Sequence, residues 1–203
     1  EETTETRQTA APLTKTHFTA TNLAAREIAR MVLSGDMTID APYQRGEVWQ
    51  EDQQVALVRS WLTGAPIPAI VVNNRMTASF VAANSGLWGG ELGYAYSVVD
   101  GQQRVRAAVA WFEGDLAVPA SWFSPEVVES TLDTDDGPYV RHRDLIRGER
   151  THQAFTFMLP MAEGQLPTIQ AEAEAYLLVN GAGTPQTDAD MSNAKRVVDG
   201  GAA

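Results

Sequence analysis

Asp100-Gly101-Gln102-Gln103-Arg104 is the stretch whose residue types and spacing best suit chemistry, and that chemistry is the holding of a phosphate. The alternation Tyr94, Tyr96, Val98 predicts a strand that stops at Asp100-Gly101. Val105, Ala108, Val109 and Phe112 predict the buried face of a helix that follows. Amides near positions 101 to 103 would then lack partners at the positive end of the helix dipole, which is a ready anion site. Arg104 adds a forked, permanent charge to the same anion, Gln102 and Gln103 add amide donors, and Asp100 is placed to hold a metal-bound water or to orient Arg104. Asp-Gly is also what an ordinary tight turn requires, with Arg104 then a solvated helix residue, so this stretch alone leaves both readings open.

Other candidates are weaker. Pro42-Tyr43-Gln44-Arg45, followed by Trp49, reads equally as a loop with Tyr43 in the core and Arg45 paired to a surface carboxylate. Gly64-Ala65-Pro66-Ile67-Pro68 is explained by helix termination and an extended lead into a strand. Asn180-Gly181-Ala182-Gly183-Thr184-Pro185 suits either a ligand approach or a helix C-terminal turn. His142-Arg143-Asp144 has no second metal-ligand spacing nearby, and Asp133, Asp135 and Asp136 lack the residue order of a calcium loop, so no metal-ligating set is expected.

Composition narrows the chemistry further. The chain has 203 residues, 44% of them apolar, enough for one substantial core. It has no cysteine, which excludes disulfides, thiolate zinc sites and cysteine nucleophiles. A net charge of −11 opposes tight, sequence-blind binding to DNA, so DNA is expected to bind only weakly to the chain alone. Lys15 and Lys195 are the only lysines, and neither follows a Gly-rich turn of the P-loop kind, so phosphate would have to be held by arginine and backbone amides. No apolar run approaches membrane-spanning length and no charged-then-apolar leader is present, so the expected setting is cytoplasmic, with no membrane partner.

The elements that must position the turn follow from pattern. Residues 1–17 are Thr- and Glu-rich and are expected to form a disordered arm, leaving 18–203 as a single domain. Asn22 is a plausible cap for a helix carrying Ala24, Ile28, Met31 and Val32, stopped at Gly35. Asp52 is a cap candidate for a second helix with Val55, Val58, Trp61 and Leu62 inside, ended by Gly64. A strand is predicted at 69–72, an irregular Gly-rich excursion at 76–92, a short helix from Ser124 to about Ser130, an acidic loop at 133–136 and a strand at 155–159. Helices are predicted at 168–179 and 187–198.

Pro42-Tyr43-Gln44-Arg45 with Trp49, Gly64-Ala65-Pro66-Ile67-Pro68 and Val98-Val99-Asp100-Gly101-Gln102-Gln103-Arg104 occur in the order and rough spacing of a known family, followed by Asn180 to Pro185. On these motifs the chain, over about 22–196, resembles the N-terminal domain family of GmrSD-type, modification-dependent restriction proteins. The resemblance implies an α+β, ParB/sulfiredoxin-like fold: a small mixed sheet flanked by helices, with additional C-terminal helices. It also implies nucleoside triphosphate binding and hydrolysis, with Mg²⁺, in support of a DNA modification or restriction system of bacteria or phage. Carried over by residue, the resemblance places Asp100, Gly101, Gln102, Gln103 and Arg104 at the phosphates, with Gln44 and Arg45 facing them from the earlier loop; in hydrolysis Arg104 and Arg45 would bear charge and Asp100 or Gln103 would place the water. Many members continue into a His-Asn-His nuclease domain that this sequence lacks, so no nuclease centre of its own is expected and cleavage falls to a DNA-acting protein partner. Two other functions suit the same residues: a nucleotide-dependent switch without turnover, and a small phosphotransferase.

Overall fold

Pro66 and Pro68 keep the chain extended ahead of Ile70-Val71-Val72, and a β-branched run so introduced belongs in a sheet. The computed structural model describes residues 10–13, 15–44, 49–181 and 195–199. Within them the order is β1 (Phe18–Ala24), α1 (Ala25–Leu33), β2 (Met37–Thr38), α2 (Glu51–Thr63), β3 (Ile70–Asn74), α3 (Ala78–Ala83), β4 (Tyr96–Asp100), α4 (Gln102–Glu113), β5 (Ala117–Pro119), β6 (Leu132–Thr134), β7 (Gly137–Arg141), α5 (Arg147–Thr156), β8 (Met158–Gly164) and α6 (Ile169–Gly181). The architecture is α+β. A five-stranded mixed sheet has the order β1-β8-β3-β4-β2, and a smaller antiparallel sheet has the order β5-β7-β6. β3 is central, parallel to β8 and antiparallel to β4.

Both faces of the large sheet are covered. Ile70, Val72 and Val98 pack with Ile28, Val58, Trp61, Val105 and Trp111 of α1, α2 and α4. Val99 and Val71 face the other way, toward Tyr43, Leu166, Ala173 and Tyr176. Successive strand residues point to opposite faces, so a strand buried on both reads as an unbroken apolar run such as Val98-Val99. Two tryptophans anchor the first core through their ring N–H groups as well as their area. Trp61 donates to the Met158 carbonyl at 2.9 Å and stacks on Phe157, and Trp111 donates to Gln153 Oε1 at 3.1 Å.

Several local expectations give way to tertiary pairing. Asn22 is not a helix cap; it lies in β1 opposite Pro160, because the seven-residue pairing with β8 outweighs a capping preference. α1 therefore starts at Ala25, whose N–H is taken by the Phe157 carbonyl at 2.8 Å. The second helix starts one residue before Asp52, at Glu51, behind a capping box in which Gln53 Oε1 accepts from the Gln50 N–H at 3.0 Å. Gly64 does end it, in the left-handed conformation. The 76–92 segment holds α3, capped by the Thr77 hydroxyl on the Phe80 amide, and of the expected acidic loop Asp133 lies in β6 while Asp135 and Asp136 form the turn of the β6–β7 hairpin.

The stretch from Ser124 contains only a single 3₁₀ turn, Pro125–Val127. Phe155 sits in α5, with 75% of its surface exposed, and the strand begins at Met158. Of the expected N-terminal arm, residues 10–13 and 15–17 are described, all exposed and outside any helix or strand. Of the expected terminal helix, 195–198 are helical and 187–194 lie outside the described residues. No helix among the described residues is long and apolar enough to cross a membrane.

Candidate functional site

β4 ends at Asp100 and α4 begins at Gln102, so the whole reversal falls on Gly101, at φ 91° and ψ 17°. This left-handed conformation is one that side-chain-bearing residues avoid. Space forbids a side chain as well: a Cβ at position 101 would stand 2.6 Å from Ile70 Cγ2 and 2.8 Å from Arg104 Nη2. The cap residue thus brings no side-chain acceptor to the first turn of α4. Helix-initial amides have no intrahelical partner, so those of Gln102 and Gln103 remain donors at the positive end of a twelve-residue helix.

Arg104 lies beside them. Its Nη2 donates to the Ala69 carbonyl and to Asp100 Oδ2, both at 3.2 Å, and its buried Nε has no hydrogen-bond partner among the described residues. A guanidinium carries five N–H donors in a fixed plane, so donors remain after these contacts. Asp100 and Arg104 are 24% and 16% exposed, a pair at the rim rather than in the core. Gln103 Oε1 accepts from the Trp49 N–H at 3.0 Å, which leaves the Gln103 amide nitrogen as a donor.

The earlier loop is fastened to the same strand end. Asp40 pairs with Arg106 of α4. Gln44 is buried, and its Nε2 donates to the Val98 carbonyl at 2.9 Å and to the Val99 carbonyl. The reverse amide orientation would set an oxygen against two carbonyls, so the network fixes the assignment. The Gln44 amide nitrogen is therefore engaged behind the turn, and its Oε1, an acceptor, is buried without a partner among the described residues. Arg45 lies outside the described residues, as do 182–185 of the Asn180 segment. The structure thus brings together Asp100, Gly101, Gln102, Gln103, Arg104 and Gln44.

A second polar cluster escapes sequence reasoning. Glu172 of α6 is fully buried and receives Arg75 through Nε at 2.8 Å and Nη2 at 2.6 Å, Asn73 Nδ2 at 2.8 Å and the Tyr43 hydroxyl at 3.1 Å. Burial works against the Arg75 charge, and the hydrogen bonds and charge of Glu172 outweigh it, so the guanidinium is held above its ordinary value. Burial and the same carboxylate push the Tyr43 phenol well up, which keeps it a donor. One signal for the cluster was present: Glu172 lies four residues before Tyr176, on the same face of a helix, and both are buried.

His142-Arg143-Asp144 resolves into a structural tie. Asp144 accepts from Arg141 Nε at 2.8 Å and from the Ser130 hydroxyl at 3.1 Å, and His142 sits edge-on to Trp111 and Phe112. Burial lowers the His142 pKa from 6.5 to about 4. A histidine so depressed is neutral when folded, while the unfolded chain takes up a proton below about pH 6.5. Its contribution to stability is therefore complete above that pH and is lost as pH falls through about 4. Melting curves between pH 7 and 4 are expected to fall more steeply for the wild type than for His142→Phe; parallel curves would show that the imidazole is not buried as described.

Among the described residues no three His, Asp or Glu side chains group as a metal cage. No curated protein and no solved structure matches the chain. The family model described as GmrSD restriction endonuclease, N-terminal domain, matches residues 28–196. That span contains Gln44, the Asp100 to Arg104 turn and Glu172, and the chain belongs to this family.

Proposed function

We propose that this domain binds a nucleoside triphosphate with Mg²⁺ at the Asp100 to Arg104 turn and hydrolyses it, in support of the restriction system with which its family is associated. The observation that carries the reading is Gly101: a left-handed cap with no room for a Cβ exposes helix-initial amides directly beside a guanidinium. The amides of Gln102 and Gln103, the Gln103 side-chain nitrogen and Arg104 bind phosphate oxygens, with Arg45 as a second cation. Gln44 acts from behind, by holding β4. Asp100 is the carboxylate that would hold a Mg²⁺ ion brought with the triphosphate, since such an ion needs only one or two protein carboxylates, and the ion would supply positive charge at the phosphates.

In hydrolysis a water oxygen bonds to the terminal phosphorus as the bridging P–O bond breaks, giving a nucleoside diphosphate, inorganic phosphate and a proton. Asp100 accepts a hydrogen bond from that water, and Arg104 with Arg45 bears the charge that develops. The ParB/sulfiredoxin-like class of fold, a cytoplasmic setting and a DNA-acting protein partner belong to the same reading. One observation favours binding without turnover: Asp100 is already paired with Arg104, which makes it a weaker acceptor for water. Phosphate release measured against the Arg104→Ala variant separates the two.

Binding itself is tested by melting the protein with ATP, GTP, CTP or UTP and Mg²⁺. A ligand specific to the native state adds about 2.7 kcal/mol at a hundred times its dissociation constant, roughly a 5–10 °C rise for a domain of this size. Arg104→Ala is expected to abolish the rise while lowering the unliganded midpoint by only a few degrees. If no triphosphate raises the wild-type midpoint at millimolar concentration, or the variant responds equally, the turn is not a phosphate site.

A further inference from the structure

Glu172 is unusual in being saturated by donors from two other parts of the chain. Arg75 and Asn73 lie at and just beyond the end of β3, and Tyr43 lies in the loop between β2 and α2. A carboxylate has about four acceptor positions, and Arg75 Nε, Arg75 Nη2, Asn73 Nδ2 and Tyr43 Oη fill them. Asn73 is itself fixed, exchanging hydrogen bonds with the Leu166 backbone at 3.0 and 2.7 Å. The Glu172 oxygens are thus set by a rigid strand on one side and present a fixed acceptor to Tyr43 on the other.

Tyr43 precedes Gln44, and Gln44 grips the last two carbonyls before Asp100. The Tyr43 hydroxyl also lies 3.5 Å from Ser97 Oγ on the same strand. An ion pair as buried as Arg75–Glu172, at 4% and 0% side-chain exposure, is seldom the most stable filling of a core. Its geometry offers a reason for it that stability does not. We propose that Glu172 is a positioning residue of the nucleotide site: through the Tyr43 hydroxyl it fixes the loop whose Gln44 holds the strand end against the Asp100 to Arg104 turn. The proposal rests on the nucleotide reading given above.

Tyr43→Phe in the full chain is the discriminating variant. It leaves the ring in the core beside Tyr176 and the Arg75–Glu172 pair intact, and removes the hydroxyl that bonds Glu172 and approaches Ser97 Oγ. Two quantities are read: nucleotide affinity, from melting with the four triphosphates and Mg²⁺, and amide hydrogen exchange at residues 41–44 without nucleotide. Tyr43→Phe is expected to weaken affinity about tenfold and to speed exchange in the loop about tenfold, with an unliganded midpoint within a few degrees of wild type. Glu172→Gln should act in the same direction and further. Ile28→Val, a core truncation remote from the cluster, should lower the midpoint and change neither quantity. Wild-type exchange in the Tyr43→Phe loop, or wild-type affinity despite faster exchange, overturns the proposal. A wild type that answers to no triphosphate removes the nucleotide reading instead, and the exchange comparison still decides whether Glu172 holds the loop.

Discussion

Gly101→Ala is expected to destabilise the domain by roughly 2–5 kcal/mol and to remove any response to triphosphate. Two costs add. A non-glycine residue held in the left-handed region costs about 1–2 kcal/mol, and crowding a packed site costs about 1–3 kcal/mol more. The crowding is specific, because the new Cβ would meet Ile70 Cγ2 at 2.6 Å and Ile70 Cβ at 3.0 Å, on a side chain with no solvent exposure of its own. The midpoint should fall by about 5–15 °C. Part of the strain is relieved by shortening Ile70, so Ile70→Ala should cost less in the Gly101→Ala background than in the wild type, by about 1–2 kcal/mol of coupling. Urea denaturation of the four proteins gives that coupling. Strict additivity, or a Gly101→Ala protein that melts with the wild type, would mean that the turn does not press on β3.

The turn was legible in the sequence because everything that makes it is local: a strand that stops, a glycine, and a helix whose apolar stripe begins at Val105. The sheet was less so. β3 and β4 announced themselves through Val and Ile, but β1, as Phe18-Thr-Ala-Thr-Asn-Leu-Ala24, is largely exposed and is a strand only because β8 pairs with it along its length. Propensity cannot show a partner 140 positions away. The same holds for the site. Gln44 was found by its neighbours in the motif, yet nothing local to it shows that its amide nitrogen bonds to the Val98 and Val99 carbonyls. Glu172, Arg75 and Asn73 each resemble ordinary polar residues until three distant segments fold onto one another. Only the placement of a glutamate on the same helix face as Tyr176 hinted at it.

Arg75→Met should be among the most damaging single substitutions in the chain, at a cost of about 3–5 kcal/mol, because it strands the fully buried Glu172 carboxylate without its guanidinium. Only the Asn73 and Tyr43 donors would remain to it. Loss of the Arg75 contact over the Phe80 ring, at 5.5 Å, adds a smaller term. Glu172→Leu should be comparably costly from the other side, since it leaves a guanidinium unpaired in the same place. The double substitution should recover much of the loss. With both charges gone the desolvation penalty disappears, Asn73 keeps its two bonds to the Leu166 backbone, and methionine and leucine fill most of the volume. The cycle should therefore show a coupling of at least about 2 kcal/mol, in contrast to the near-zero values of exposed pairs such as Arg30–Glu27. The double variant also separates stability from position: it should be folded and yet leave the Tyr43 hydroxyl without its carboxylate, so loop exchange at 41–44 should remain fast. Single substitutions that each cost under about 1 kcal/mol, or a double variant no better than the sum of the two, would show that the pair is hydrated rather than buried.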